Sequence, residues 1–199
     1  MAANYSGSLR LSSRPMDLRA LTGRIGSDLG EPSAWLLETG DLLPAVGRAL
    51  DVACGRGRHA LLLAAAGFEA TAIDRDRKAL AVLEARARGL GLSVRTRATD
   101  LETNDPDLGS AVFELVVVFR YLHRPLFPAL RRALAPGGVL VYETFTRAQA
   151  ACGHPRNPAF LLEEGELPRL VAPLDVLRFD EGEREGALVA RVVAQRPIL

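Results

Sequence analysis

Cysteine and histidine are scarce in this sequence of 199 residues, which has two cysteines and three histidines. Cys54 lies in a glycine-rich turn, and Cys152 lies much later in the chain with His154 as a near neighbour. A protein zinc site takes about four ligands, so this pair is too small a set. We therefore expect no metal site, and the low cysteine content favours a reducing, cytoplasmic compartment.

Net charge and long apolar runs are also missing. The 25 basic and 24 acidic residues leave a formal net charge of +1, which creates no overall attraction toward nucleic acid or an anionic membrane. No apolar run approaches the roughly 20 residues of a membrane span, and residues 1–15 lack the apolar segment of a signal peptide. We expect a soluble protein with no nucleic-acid partner and no membrane partner.

What the chain does have is a regular alternation of strand and helix patterns. Alternating β and α segments predict an α/β fold, a doubly wound and mostly parallel sheet with right-handed crossovers. The chain ends in two strand patterns around glycines, which predict an antiparallel hairpin and so a C-terminal antiparallel strand. The seven predicted strands cover residues 48–53, 68–74, 92–99, 111–119, 139–145, 174–182 and 185–197.

The predicted helices cover residues 58–67, 75–91, 125–138 and 163–173, the third of them ending at the turn Pro136–Gly138. A shorter helix is expected in EPSAWLLETG, with Pro32 in its first turn. The stretch 101–110 is rich in turn residues, so a crossover helix there is not expected. We predict an N-terminal extension over residues 1–29, flexible in its first half, and a single domain over residues 30–199.

A glycine pair interrupts the stretch LDVACGRGRHALLLAAAG at residues 50–67. Gly55 and Gly57 fall between a predicted strand and a predicted helix, which is the arrangement of a nucleotide-binding turn. The residues GRGRHA match the dinucleotide pattern G-x-G-x-x-G/A, and Asp74 follows the first glycine by 19 residues. An oxidoreductase that uses a nicotinamide or flavin cofactor is therefore one interpretation.

Three features favour another ligand. Asp51 lies within the end of the strand before the glycines, where a carboxylate would repel the diphosphate of a dinucleotide. Asp100 follows the third strand, at a position from which it could reach the edge of an adenine. The chain also ends in a strand pair, where a dehydrogenase normally continues into a substrate domain.

The segments LDVACGRGRH, AID, TDL and LAPGG, followed by the final hairpin, resemble class I S-adenosylmethionine-dependent methyltransferases. The resemblance covers residues 30–197, and its strength lies in the order and spacing of the segments. Within the class, PSAWLLETGDLLP, FRYLHRPLFPAL and YETFTRAQAACGHPRNPAFLLEEGEL are similar to small bacterial proteins of the tellurite-resistance type.

The resemblance implies a cofactor site for S-adenosylmethionine. Gly55 and Gly57 would let the backbone approach the cofactor, and Asp51 would take its amino group. Asp74 would accept both ribose hydroxyls, with the cap of a helix starting at Arg75 as its alternative role. Asp100 would accept from the adenine amino group, beside the Leu101 N–H. The full set of implied cofactor residues is Asp51, Ala53, Gly55, Gly57, Asp74, Arg75, Asp100, Leu101 and Phe119.

Four residues are candidates for the transfer itself. Arg120 could hold the cofactor carboxylate or an anionic acceptor, or it could form a salt bridge with Asp51 or Glu143. His59 and His123 are candidate proton acceptors, and Glu143 could orient an acceptor. Residues 153–167, which carry several polar groups among prolines, are expected to form a lid.

The expected reaction is an in-line transfer of the methyl group to a small nucleophile, such as a thiol or a chalcogen oxyanion, by a monomer or homodimer. Two alternatives stay open: an NAD(P)- or flavin-dependent oxidoreductase, and a protein of the same fold that binds the cofactor without turnover. The identity of the bound cofactor distinguishes the oxidoreductase from the methyltransferase. The presence of turnover distinguishes the methyltransferase from the non-catalytic binding protein.

Overall fold

The computed structural model describes residues 17–26, 30–103 and 105–198. The flexible segment predicted for residues 1–15 lies outside these ranges. Within them the helices are α1 Arg19–Ile25, α2 Ala34–Glu38, α3 Arg58–Ala65, α4 Arg77–Gly89, α5 Phe127–Ala133, α6 Gln149–Cys152 and α7 Glu166–Val171. The strands are β1 Arg48–Val52, β2 Glu69–Asp74, β3 Val94–Ala98, β4 Phe113–Phe119, β5 Leu134–Phe145, β6 Asp175–Arg184 and β7 Ala187–Gln195.

The strands form one sheet in the order β3-β2-β1-β4-β5-β7-β6. Strand β7 runs antiparallel to both of its neighbours, and the remaining neighbouring pairs are parallel. The predicted doubly wound sheet with a C-terminal antiparallel strand is thus confirmed. The order reverses between β1 and β4, and ligands of such sheets bind beyond the carboxyl ends of the strands at this point.

Both faces of the sheet are covered by helices, which explains the continuous apolar run of β4. Val116 and Val118 pack on the side of α5 and α7, whereas Leu115 and Val117 pack on the side of α1 to α4. Strand β1 alternates in the same way, with Leu50 toward the first of these layers. The core therefore lies in two layers that hold the ends of β1 and β4 rigidly side by side.

The N-terminal extension contributes to one of these layers. Leu18 immediately precedes helix α1 and Ile25 is its last residue. Both side chains are buried in the hydrophobic cluster that contains α3. The Arg86 guanidinium on α4 donates to the Ile25 carbonyl at 3.0 Å. Part of the extension is therefore packed on the domain, while the proposed boundary at residue 30 stays a prediction.

One helix end differs from its prediction. Helix α5 ends at Ala133, and the turn Pro136–Gly138 lies within the first part of β5. The Gly137 N–H donates to the Arg196 carbonyl at 2.9 Å, and the Arg196 N–H donates to the Gly138 carbonyl at 2.8 Å. Pairing with the distant C-terminal segment therefore extends the strand, and no local pattern reveals that partner. Pro32 likewise precedes the capping residue Ser33 of α2 and does not lie in the helix.

Between β3 and β4 the described residues contain no helix, as the turn-rich sequence predicts. The part of the chain that the structure describes has no helix long and apolar enough to cross a membrane. The same residues include no group of three or more histidine, cysteine or acidic side chains placed to hold a metal ion.

Candidate functional site

The glycine turn joins β1 to α3 through three residues with positive φ. Ala53, Gly55 and Gly57 have φ values of 55°, 54° and 81°. The Cys54 N–H donates to the Ile73 carbonyl of β2 at 3.0 Å, so the turn is fastened to the neighbouring strand. The first turn of α3 follows at the carboxyl edge of the sheet.

Asp74, at the end of β2, ties this turn to the start of α4. Its Oδ2 accepts from the Gly55 N–H at 2.8 Å, and its Oδ1 accepts from the Asp76 N–H at 2.9 Å. The cap of α4 is Asp76, which accepts from the N–H groups of Lys78 and Ala79 at 2.8 and 3.1 Å. The alternative role of Asp74 as a helix cap is therefore wrong, because the helix starts two residues later than predicted.

Beyond the ends of β1, β2 and β3 lies a cavity of about 160 Å³. Five of the predicted cofactor residues line it: Ala53, Asp74, Arg75, Asp100 and Leu101. Thr99, Glu102 and Tyr121 complete the wall. We call this space the β1–β3 cavity. The fold therefore brings together, in one cavity, residues that the sequence analysis singled out in three separate turns.

The exposed rim of the β1–β3 cavity is charged. Asp100 Oδ1 accepts from the Glu102 N–H at 3.0 Å, and the Arg75 guanidinium lies 3.4 Å from the Glu102 carboxylate. Leu101 between them is buried in the core. The rim thus carries the carboxylate oxygens of Asp100 and Glu102, and the buried Leu101 side chain lies between these two residues in the chain.

The two glycines of the turn serve different purposes. A Cβ on Gly55 would meet no atom within 4 Å, so the space beside it is open. A Cβ on Gly57 would lie 2.4 Å from Leu83 Cδ1 of α4. The packing of α4 therefore requires a glycine at position 57, and the contact of Gly57 with a cofactor stays a prediction.

Asp51 lies behind the turn, at 2 % exposure. Its Oδ2 accepts from the Ala60 N–H at 2.9 Å and so caps the first turn of α3. Burial raises the pKa of Asp51 to about 7, although the Ala60 hydrogen bond and the Arg58 charge oppose the shift. The carboxylate is half protonated near neutral pH, and a nearby cationic group would draw it into the charged form.

A second set of contacts links α2, α3 and β5; we call Ser33, His59 and Glu143 the Ser33 cluster. The Ser33 N–H donates to His59 Nε2 at 3.1 Å, and the Ser33 hydroxyl donates to Glu143 Oε2 at 3.0 Å. Ser33 also caps α2, since its Oγ accepts from the Trp35 N–H at 3.2 Å. The sequence prediction places Ser33 inside the helix, after Pro32, and reveals neither its capping role nor its two distant partners.

His59 is a packing residue in this arrangement. It is 3 % exposed, and its ring centroid lies 4.1 Å from that of Phe119. Burial, together with the charges of Arg58 and Arg120, holds the pKa of His59 well below its usual value. A neutral imidazole whose Nε2 already accepts a hydrogen bond is not a free base, so the predicted catalytic role of His59 is corrected. Phe119 likewise packs on His59 and does not line the β1–β3 cavity.

The surroundings of the Glu143 carboxyl raise its pKa. Its pKa is raised by burial, against the opposing effects of the Ser33 hydroxyl and the positive charges of Arg191, Arg120 and Arg58. It lies in register with Phe119 of β4, so it is adjacent to the loop that follows that strand. Its place at the sheet edge is the one that the sequence predicts.

Arg120 begins that loop with φ +56°. Its N–H donates to the Glu143 carbonyl at 2.8 Å, which fixes the backbone, while its side chain is exposed. The guanidinium makes no hydrogen bond or ion pair with any described residue, so the alternative of a salt bridge to Asp51 or Glu143 is not formed. Burial and the charge of Arg120 lower the pKa of Arg58, which places these two cations in one region.

His123 and the predicted lid lie further from the β1–β3 cavity. His123 Nε2 is buried and has no hydrogen-bond partner among the described residues, and the side chain does not line the cavity. Arg124 binds the lid segment: its guanidinium donates to Glu166 at 2.6 Å and to the Leu161 carbonyl at 2.9 Å. The catalytic role of His123 and the closing of residues 153–167 stay predictions.

Comparisons with known proteins agree with this geometry. Residues 49–138 match the family model described as a methyltransferase domain. Hemagglutinin 1 of Eikenella corrodens is 29% identical over 157 residues, covering 76% of this chain and 51% of that protein. The probable S-adenosyl-L-methionine-dependent methyltransferase TehB of Haemophilus influenzae is 24% identical over 143 residues, covering 69% and 49%. The chain thus spans about half the length of these curated relatives.

The crystal structure of TehB from Haemophilus influenzae has the same fold, with a TM-score of 0.61 at 18% identity over 75% of this chain and 57% of that one. The sheet order, the glycine turn and the match of residues 49–138 to a methyltransferase domain together point to one class: this chain resembles the S-adenosylmethionine-dependent methyltransferases. The cofactor of that class is S-adenosylmethionine, as predicted. Within the class the chain resembles TehB, a protein of the tellurite-resistance type, which confirms the resemblance seen in the sequence.

The two glycines offer a matched pair of variants. Gly57→Ala adds a strained φ and a clash with Leu83, so we expect it to lower the free energy of unfolding by about 2–4 kcal/mol. Gly55→Ala adds the strain alone, about 1–2 kcal/mol, and narrows the open space beside the turn. Urea denaturation measures both losses, and titration with S-adenosylhomocysteine should show weaker binding for Gly55→Ala. Equal destabilisation by the two changes would contradict the assignment.

Asp51 predicts an unusual pH dependence. Because its pKa is raised, the folded protein keeps a proton that the unfolded chain has released, so its contribution to stability falls as pH rises from about 4 to 7. Asp51→Asn carries no charge at any pH. Relative to the unmodified protein, we expect its free energy of unfolding to rise by about 2 kcal/mol between pH 5 and pH 8. Asp175→Asn on the exposed edge of β6 is the control, and a flat difference for Asp51→Asn would refute the prediction.

Proposed function

We propose that this protein transfers the methyl group of S-adenosylmethionine to a small nucleophilic acceptor. The observation that carries the proposal is the meeting of the Gly55 turn, Asp74 and the β1–β3 cavity at the point where the strand order reverses. In parallel sheets this is where a nucleotide-like ligand has access to the ends of several strands. The match of residues 49–138 to a methyltransferase domain supports the choice of ligand.

The residues present fit an adenosyl group. Each oxygen of the Asp74 carboxylate uses one acceptor position on a backbone N–H, and a carboxylate has about four such positions. The remaining ones suit the two ribose hydroxyls. Asp100 and the Leu101 N–H would then pair with the amino group and a ring nitrogen of adenine. The open space beside Gly55 leaves room for the methionine portion, whose amino group would be near Asp51.

The methyl acceptor would bind outside the β1–β3 cavity, in the region of Arg120 and Arg58. Two arginines in one region raise the electrostatic free energy of each other, and an anionic or partly anionic ligand between them relieves that repulsion. A thiolate or a chalcogen oxyanion has this charge. Arginine is also well suited to bind oxyanions because it presents several donors in one plane.

The sulfonium of the bound cofactor supplies a methyl group that is already activated. The work left to the protein is to hold the acceptor in line with the bond that breaks and to exclude water. Soft nucleophiles are deprotonated or easily deprotonated near neutral pH, so they need little base catalysis. For an acceptor that does release a proton, Glu143 is the residue with the appropriate place and a raised pKa.

The first test is calorimetric titration with S-adenosylhomocysteine, with NAD(H) and NADP(H) alongside. We expect binding of S-adenosylhomocysteine only, weakened about 100-fold by Asp74→Ala, because hydrogen bonds to a charged group are worth about 1.5–3 kcal/mol each. Asp76→Ala is the matched control, since it removes the cap of α4 but no group that lines the cavity.

Two results would contradict the proposal in different ways. Binding of a nicotinamide cofactor, with no response to S-adenosylhomocysteine, would make the protein an oxidoreductase. Binding of S-adenosylhomocysteine without methyl transfer to any acceptor in a broad screen would make it a binding protein on this fold.

Arg120→Ala tests the acceptor site. With selenite or 2-mercaptoethanol as the acceptor, we expect the KM for that acceptor to rise at least about tenfold, since one charge-assisted hydrogen bond is worth about 1.5–3 kcal/mol. The Kd for S-adenosylhomocysteine should stay unchanged. Arg56→Ala, an exposed arginine on the glycine turn, is the control. A raised Kd with an unchanged KM would place Arg120 on the cofactor carboxylate, and no change in either constant would exclude it from the site.

A further inference from the structure

Tyr121, which follows β4 by two residues, lines the β1–β3 cavity and carries a hydroxyl that no contact in the described part of the chain uses. The oxygen is buried, and it has no hydrogen-bond partner among the described residues. Buried polar groups in proteins are nearly always bonded, because an unpaired one loses its hydration without compensation. An unpaired hydroxyl on a residue that lines a cavity therefore points to a ligand that supplies the partner.

The other polar side chains of the cavity wall are largely acceptors. Asp74, Asp100 and Glu102 contribute carboxylates, and the Arg75 guanidinium lies 3.4 Å from the Glu102 carboxylate. Such a wall suits hydroxyl and amino donors, which the ribose and the exocyclic amine of adenosine provide. The purine ring nitrogens are acceptors themselves; the Leu101 N–H can serve one of them, and another needs a further donor from the protein.

Tyr121 keeps its proton and its place. Burial, with the negative charge of Glu102 next in size, raises the pKa of Tyr121 to about 12. Its backbone is fixed by β5, because the buried Tyr142 hydroxyl donates to the Tyr121 carbonyl at 2.7 Å. The hydroxyl is thus a donor at physiological pH, on a loop that is fixed to β5.

We infer that Tyr121 is a specificity-determining residue that donates a hydrogen bond to a ring nitrogen of the bound purine. This inference rests on the proposed function, since it takes the adenosyl group as the occupant of the β1–β3 cavity. It adds a side-chain donor to a second ring nitrogen, beside the Leu101 N–H on the first and Asp100 on the exocyclic amino group. A site that hydrogen-bonds a ligand atom discriminates strongly against analogues that lack it.

The experiment is a double-mutant cycle between protein and ligand. Tyr121→Phe and the unmodified protein are each titrated with S-adenosylhomocysteine and with its 1-deaza, 3-deaza and 7-deaza analogues, in which one ring nitrogen is replaced by carbon. We expect Tyr121→Phe to bind S-adenosylhomocysteine about five- to tenfold more weakly, the range of one net hydrogen bond. One deaza analogue should bind both proteins with the same Kd, and the other two should repeat the loss.

Tyr142→Phe is the matched control. It removes a hydroxyl that is bonded and lies outside the cavity wall, so any effect on Kd should be equal for all four ligands. If Tyr121→Phe weakens all four ligands equally, or weakens none, the inference is overturned. Failure of the unmodified protein to bind S-adenosylhomocysteine overturns the proposed function instead, and that result is visible before any variant is measured.

Discussion

The carboxylate of Asp74 joins the two turns on which the candidate site depends. One of its oxygens receives the Gly55 N–H and the other receives the Asp76 N–H, so the end of β1 and the start of α4 have a fixed separation. The parallel pairing of β1 and β2 brings these turns to the same edge of the sheet. A residue of this kind both builds the cavity and presents free acceptor positions to it, which couples the shape of the site to its chemistry.

The other side of the site is organised by charge. Glu143 is buried beside the Ser33 hydroxyl, and the positive fields of Arg58 and Arg120 both reach it. Asp51 and Glu185 act on Arg58 as well as Glu143, whereas Arg120 has no ion pair within the part of the chain that is described. In the proposed function, Arg120 is therefore the cation on this side that is free to bind an anionic acceptor.

Local patterns in the sequence were sufficient for the succession of strands and helices along the chain, the glycine turn and the residues at the strand ends, because those features depend on neighbours in the chain. They were insufficient where the partner is remote. Leu83 determines the need for Gly57, Arg196 extends β5 through the predicted turn at 136–138, and the Ser33 N–H occupies the imidazole of His59. In each case the residue type was correctly singled out, and its role was decided by a contact formed only in the folded chain.

The loop after β4 connects the β1–β3 cavity with the region of Arg120, Arg58 and Glu143. Its backbone is bonded twice to β5, through the Arg120 N–H and through the Tyr121 carbonyl, and successive side chains then point to different places. Arg120 reaches the region of Glu143 and Arg58, while Tyr121 lines the cavity that contains Asp74. A shift of this loop would therefore move the groups on both sides together. Because the proposed methyl transfer would require alignment of two reactants more than a base, a rigid connection between their binding groups is the feature that this reaction would need most.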